Sequence, residues 1–451
     1  MADSAWSRAL RRLDAVSGAH ATSAVPADQT VRGYRIAVIC VGIAFTLTGL
    51  YTGSTLAASL GLADGIRAVV IGSIILTVMS VPAAMVGART HLSTYMIVTR
   101  VFGGNGARVI NLVLGIVLLG WYAVTVELFG RTCFLTAAIY FSGGPPQWLY
   151  TVACSILVIA TTIFGFRAID RLSLAAAPLL VVLTCYVAWR SVGVVPWDRL
   201  LAVAGTSAGG SVDLCTGISA VVGGLIVNVV LMPDMTRYSR STFDCALISI
   251  AGNGVGGGGA LVLAMIPALA FHEVDPMKYM ALLGLTGLSF LVLVVSTWTI
   301  NAVNLYSPGL VTSTALRGTS YGRIVILCGC AGTALGLVGI ADRLIDFLVL
   351  LGVIVPPIAA VYLCDFFVLR RQSLEAAPAA AAVPSNVNGL VACFVGAAVG
   401  VAAYETSVSL TGVPSIESFV LSGILYVGAE TWRMRLGRDR RWRRMPVGEP
   451  R

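Results

Sequence analysis

Charge is what this chain has least of. Only 11% of its 451 residues are Asp, Glu, Lys or Arg and 57% are apolar, against roughly 25% and 45–50% in soluble domains. A water-soluble domain of this length could not cover its surface at that ratio. Histidine is scarcer still: His20, His91 and His272 are the whole set, and none stands at a metal-ligand spacing. The cysteines fall mostly in apolar runs, where they read as small buried hydrophobes. Cys328 and Cys330 form a close pair, but C-x-C on a helix points to different faces. There is no H-E-x-x-H, no phosphate-binding glycine loop and no nucleophile beside a base. These absences argue against an enzyme and against a resident metal or cofactor.

What fills the chain instead is long apolar runs. Stretches of about 18 or more apolar residues are the signature of membrane spans. Twelve are expected, at 36–58, 66–88, 108–130, 147–166, 173–193, 215–236, 245–271, 285–311, 322–341, 345–369, 388–408 and 413–432. The stretch before Ile36 has no apolar core and reads as a polar tail rather than a signal peptide.

The net charge of +9 would suggest nucleic acid if it were spread over a soluble surface. Its placement points to a lipid bilayer. With the N-terminus in the cytoplasm, 24 Lys and Arg fall on the cytoplasmic side and 6 on the other. That bias is the positive-inside pattern, and it predicts a multi-pass cell (inner) membrane protein with both termini cytoplasmic. The basic run from Arg433 to Arg444 is also available to anionic lipid.

Transporters often contain two inverted halves with a broken helix in each. The first span carries Thr46-Leu47-Thr48-Gly49-Leu50-Tyr51-Thr52-Gly53-Ser54-Thr55, and the sixth carries Gly223-Gly224-Leu225-Ile226-Val227-Asn228 with Pro233-Asp234 behind it. Glycine and polar residues in mid-span, five spans apart, predict unwound backbone whose carbonyls and amides can hold a solute or cation. Close helix packing is the plainer reading of the same residues. The run Gly252 to Gly259 in span 7 reads as close packing or a flexible point. The Ala/Pro-rich stretch from Gln372 to Asn388 reads as a linker.

Polar residues inside spans are few enough that each asks for a reason. Trp121 sits mid-span beside Gly120, where it can stack on a flat ring or serve helix packing. Thr125, one turn on, faces the same way and can bond a solute or its own i−4 carbonyl. Glu127 is a candidate proton carrier, but Arg131 stands four residues on, a spacing that favours pairing. In span 8, Ser296 and Thr299 are three apart and could join carbonyls of a broken first helix in an oxygen-only cage for a hard cation. Asn301 and Asn304, also three apart, offer the donor–acceptor edge that suits a nucleobase.

At these residues the chain resembles the nucleobase:cation symporter-1 family, in particular its cytosine permease branch. The likeness runs over nearly all twelve spans. It is densest over Gly42 to Leu60, at Gly120-Trp121, at Asp234-x-x-Arg237-Tyr238-x-Arg240, over Trp298 to Gly309, and from Pro356-Pro357 through Asp365 to Arg371. The resemblance implies an all-α, LeuT-like fold: a 36–193 repeat, an inverted 215–369 repeat and two extra helices over 388–432, between tails at 1–35 and 433–451. It implies import of a nucleobase or related ring with a cation, commonly sodium, while Ile300 and Glu127 of this chain leave a proton as the alternative. It places the cation at Gly42, Phe45, Ser296 and Thr299. It places the substrate ring at Trp121 and at the span-6 position held by Leu225, and the reading of the residues themselves adds Thr125, Gly223, Gly224, Asn228, Asn301 and Asn304 as candidate substrate-binding positions. Where the family carries a span-6 aromatic, a span-3 glutamine, a span-6 serine and a second span-8 hydroxyl, this chain has Leu225, Leu118, Val227 and Ile300. A related heterocycle such as a hydantoin or allantoin, or a bulkier and less polar ring, fits those changes as well as cytosine. An amino-acid transporter, a uniporter, a channel and a receptor are the competing readings.

Overall fold

Each expected span falls on helix, for a physical reason. In a medium without water every backbone N–H and C=O must be bonded within its own segment. The computed structural model describes residues 24–26, 29–141, 144–164, 167–203, 205, 212–315, 321–370, 385–406 and 409–436. Most of the two tails and most of the Ala/Pro-rich linker lie outside the described residues.

In chain order the helices are α1 (Gly33–Ala44), α2 (Leu47–Thr90), α3 (Thr94–Tyr140), α4 (Gln147–Phe164), α5 (Arg167–Val194) and α6 (Trp197–Ala202). Then come α7 (Leu214–Val230), α8 (Met232–Thr236), α9 (Asp244–Ser249), a π-helical stretch Ile250–Gly258, α10 (Gly259–Phe271) and α11 (Pro276–Leu282). The chain continues with α12 (Thr286–Ala315), α13 (Tyr321–Leu337), a 3-10 turn Ile340–Arg343, α14 (Leu344–Ile354) and α15 (Pro356–Cys364). It ends with a π-helical stretch Asp365–Leu369, α16 (Val387–Thr406) and α17 (Pro414–Arg435). Among the described residues, 7 helical stretches are long and apolar enough to cross a membrane by length and composition, and shorter apolar helices accompany them.

Two glycines decide how this chain folds back on itself. α2 turns at Gly61 (φ 78°) and α3 at Gly103 (φ 75°), in a region of φ that a residue with a β-carbon rarely adopts. Gly61 thus separates two helical segments within α2, which carry the end of the expected span 36–58 and the span 66–88.

The first span is broken, a little earlier than its glycines suggest. α1 ends at Ala44, and Phe45 (φ −80°, ψ 103°) and Thr46 (φ −138°, ψ 157°) are extended. Thr46 Oγ1 then accepts from Gly49 N at 3.0 Å and restarts the helix as its N-cap. The sixth span corrects the expectation. α7 stays helical through Gly223 and Gly224 and ends only at Leu231 (φ −89°, ψ 5°), ahead of Pro233. The glycine pair is not unwound, because Gly223 serves packing: a β-carbon there would collide with the carbonyl oxygen of Leu348 on α14.

The glycine run of span 7 is a packing surface too. It forms the π-helical stretch, and β-carbons at Gly256 and Gly257 would press on Val41 of α1 and Leu225 of α7. α2 packs on α7 and α10, whereas α3 packs on α12, α13 and α4. These two groups of helices form the two walls around the site.

The motif around Arg237 ties one end of the bundle. Asp234 Oδ1 accepts from Thr94 N at 2.8 Å, His91 Nδ1 lies 2.7 Å from the Arg237 carbonyl, and Arg240 Nε donates to Thr30 O at 2.8 Å. Val31 and Ser239 form a single parallel bridge. The two last helices are docked by buried polar groups. Arg370 Nε lies 2.7 Å from Asp365 Oδ2, Tyr426 OH donates to Asp365 Oδ1 at 2.6 Å, and Asn386 Nδ2 donates to Tyr426 OH at 3.1 Å. Cys133 and Cys154 bring their sulfurs within 3.7 Å between α3 and α4, a proximity that sequence spacing did not suggest.

Candidate functional site

The break between α1 and α2 opens onto a cavity of about 130 Å³. One wall comes from the end of α1 and the start of α2 (Ile43, Thr46, Thr48, Thr52), from α7 (Gly224, Leu225, Asn228) and from Leu261 of α10. The facing wall comes from α3 (Leu118, Trp121, Thr125) and α12 (Ile300, Asn304). Among the described residues, no Asp, Glu, Lys, Arg or His lines it.

Trp121 is held by an aromatic partner that the sequence did not single out. Its ring stands edge-on to Phe347 of α14, with centroids 5.6 Å apart and planes at 80°. Gly120 makes room for that ring, since a β-carbon there would come within 2.7 Å of Phe347. The glycine beside the tryptophan was the signal that something bulky lies close, though not what. Such edge-on pairs contribute about 0.5–1.5 kcal/mol beyond their buried area.

The two asparagines of α12 part company. Asn301 is fully buried and its amide is committed at both ends: Oδ1 lies 2.6 Å from Thr125 Oγ1, and Nδ2 donates to Thr297 O at 2.9 Å. Thr125 Oγ1 is also 2.7 Å from the Trp121 carbonyl, so its hydroxyl proton is satisfied within the protein whichever acceptor it chooses. Asn301 therefore stands behind the wall as a strut between α3 and α12. Asn304, one turn beyond Ile300, opens into the cavity.

Of the residues expected to hold substrate, Trp121, Thr125, Gly224, Leu225, Asn228 and Asn304 line the cavity, and Gly223 and Asn301 do not. Leu118, Val227 and Ile300, which stand where the resemblance implied polar residues, also line it. Thr46, Thr48 and Thr52 are lining residues that reading the sequence assigned only to a broken segment. Of these, Thr52 Oγ1 donates to Thr48 O at 2.8 Å.

The expected cation residues sit beside the cavity rather than on its lining. Phe45 is in the break, Gly42 faces Ala177 of α5, and Ser296 and Thr299 lie on α12. Thr299 Oγ1 donates to Val295 O at 2.9 Å.

At the other end of α3 the charges satisfy one another. Arg131 does not pair with Glu127, contrary to the expectation from their spacing. Its guanidinium turns to Asp275, 3.1 Å away, and to Asp342, 3.7 Å away, over the ring of Tyr51. Asp275 also caps α11, accepting from Met277 N at 2.9 Å. Its burial pushes the carboxyl above the ordinary range, with Arg131 pulling the other way. Glu127 Oε2 accepts from the backbone N–H of Ala341 at 2.9 Å. Two distant acids outcompete the near one because the turn after α10 and the turn before α14 deliver them to the end of α3.

A helical bundle with a broken helix, and a cavity between two helix groups at the break, defines a membrane transporter. The profile of a family described as permeases for cytosine/purines, uracil, thiamine and allantoin matches residues 25–425, and the chain belongs to that family. The cytosine permease of Escherichia coli O157:H7 is 27% identical over 350 residues, covering 77% of this chain and 81% of that one. The structure is similar to the inward-facing conformation of Mhp1 (TM-score 0.78, 18% identity, 92% of this chain and 94% of that one). It is also similar to Mhp1, a nucleobase-cation-symport-1 family transporter, in a closed conformation with bromovinylhydantoin bound (TM-score 0.74, 18% identity, 95% and 97%). The fold is thus LeuT-like, and the chain is a multi-pass nucleobase-type permease, not an enzyme.

Proposed function

We propose that this permease imports cytosine, a purine or a related heterocycle across the cell membrane by cation symport, with both termini in the cytoplasm. The observation that carries the reading is the cavity itself, where a mid-span tryptophan and two asparagines meet at a broken helix. A stacked ring on such a platform gains about 1–3 kcal/mol. The orientation is supported by the distribution of Lys and Arg. Fusions of a reporter after Arg190 and after Arg371 are expected on opposite sides of the membrane, and finding both on one side refutes the twelve-span topology.

Sodium is the proposed coupling ion, held by the carbonyls of Gly42 and Phe45 and the hydroxyls of Ser296 and Thr299. The extended backbone at Phe45 supports this by freeing carbonyls that an unbroken helix would use. Uptake of labelled cytosine, uracil, hypoxanthine and hydantoin into proteoliposomes tests it. Accumulation driven by a sodium gradient, abolished by Thr299→Val and indifferent to Glu127→Gln, is the expected result. Uptake driven by a pH gradient and lost in Glu127→Gln transfers the coupling to a proton. Uptake that follows neither gradient leaves a uniporter or channel.

A further inference from the structure

We propose that Arg32, Arg35 and Arg240 form a binding site for the phosphate headgroup of an anionic phospholipid, at the end of α1 remote from the break. The three guanidiniums come from two distant segments of the chain. With Val31 and Tyr34 they line a pocket of about 350 Å³. That pocket shares no residue with the cavity at the break.

The fold holds these charges together and leaves them unused. Val31 N donates to Tyr238 O at 2.7 Å and Arg240 N donates to Val31 O at 3.2 Å, so the bridge between Val31 and Ser239 fixes the two segments side by side. Arg240 Nε donates to Thr30 O at 2.8 Å, and Arg35 Nε donates to Tyr34 OH at 3.3 Å. The terminal nitrogens of both, and the whole guanidinium of Arg32, have no hydrogen-bond partner among the described residues. Nor does any carboxylate among the described residues pair with the three. Asp244, the acid that meets this end of α1, accepts from Gly33 N at 3.0 Å. Arginine cannot shed its charge, so three fixed positive charges around one pocket repel one another. An anion seated among them turns that repulsion into attraction. Planar guanidiniums with free terminal N–H groups match phosphate oxygens two at a time.

The surroundings of the pocket select a lipid over a free phosphate. α1 packs on α9 and on the π-helical stretch. These neighbours carry exposed apolar side chains: Val38, one turn from Tyr34, and Phe243, Leu247 and Ile250 on the adjoining segment. A headgroup in the pocket lays its acyl chains along that surface. Tyr34 is itself half exposed, with its hydroxyl on Arg35, and an apolar ring with a polar tip belongs at the headgroup level. A soluble phosphate uses the arginines and leaves the apolar surface untouched. With the N-terminus in the cytoplasm, as proposed above, the lipid belongs to the inner leaflet, whose anionic headgroups attract basic residues. The binding itself depends neither on that orientation nor on the transported solute.

The test is thermal stabilisation of the purified, delipidated full-length protein in detergent. The probes are dioleoyl phosphatidylglycerol, dioleoyl phosphatidylcholine, glycerol 3-phosphate and inorganic phosphate. Phosphatidylglycerol is expected to act at about 10-fold lower concentration than phosphatidylcholine, and the two chain-free anions to give no shift over the same range. Arg32→Gln, Arg35→Gln and Arg240→Gln are each expected to raise the phosphatidylglycerol concentration required by about 5-fold. Arg240 also bonds Thr30 O, so Arg240→Lys serves where the glutamine variant does not fold. It keeps the charge without the fork and is expected to show a smaller loss in the same direction. Arg108→Gln alters an exposed basic residue outside the pocket, bonded to Asn105, and is expected to leave the preference intact. An equal loss in Arg108→Gln overturns the site in favour of diffuse attraction to a basic surface. Stabilisation by inorganic phosphate or glycerol 3-phosphate as strong as by the lipid overturns the lipid assignment. No preference for phosphatidylglycerol, or one that survives every pocket variant, overturns the proposal altogether. None of these outcomes bears on the transported solute, which uptake tests separately.

Discussion

The cavity and the Arg131 end of α3 are less than three helical turns apart along one helix and are built on opposite rules. At the Arg131 end, buried charge is met by charge or by backbone: Arg131 by Asp275, and Glu127 by Ala341 N–H. Among the described residues lining the cavity no charged side chain is present, and the amides of Asn228 and Asn304 open into it. The difference separates two uses of a costly intramembrane polar group. Where the partner is supplied by the fold, the group holds helices in place. Where it is not, the group is kept for something that arrives.

The comparison is broken most forcefully at Arg131. Arg131→Ala leaves Asp275, only 4% exposed, without its counter-charge. Losing one partner of a buried pair costs roughly 3–5 kcal/mol, read as a large fall in melting temperature. Arg131→Ala with Asp275→Asn is expected to recover part of it. A single variant that melts like the parent removes the cluster's structural role. Trp121→Ala should lower stability less, through the lost Phe347 contact, and act mainly on ring binding, weakening it by roughly 1–3 kcal/mol, with Trp121→Phe recovering much of it. Unchanged affinity in a folded Trp121→Ala protein makes Trp121 a packing residue. The smallest effect sharpens the division within one wall. Gly224→Ala meets Leu348 only at 3.8 Å and is expected to change the melting temperature little. Gly223→Ala must displace α14 and should destabilise by about 1–3 kcal/mol. Equal effects at the two glycines contradict the packing described here.

Much of this was legible in the sequence where the cause is local. Apolar runs fixed the helices, and threonines and glycines clustered at Thr46–Thr55 placed the first break within a few residues. Composition failed where the cause is distant. Gly223-Gly224 looks like Thr46–Thr55 in chemistry, but Leu348 of α14 decides that it packs rather than unwinds. Asn301 and Asn304 look equivalent at three-residue spacing. Thr125, 176 positions away, takes one of them out of the cavity. Arg131 has Glu127 at a favourable spacing, and a loop acid 144 positions on wins it instead. Phe347 carried no motif at all, and only the room left by Gly120 betrayed it.

The absence of Asp, Glu, Lys, Arg and His from the described cavity lining has an electrical consequence. Under the cation symport proposed above, a solute that crosses uncharged carries no current, so the charge moved in a transport cycle is assigned to the coupling ion. One such charge crossing a potential of 100 mV is worth about 2.3 kcal/mol, or about 50-fold accumulation of solute. Current divided by solute flux then counts the ions per turnover directly, and the membrane potential alone, with no ion gradient, should concentrate the ring inside.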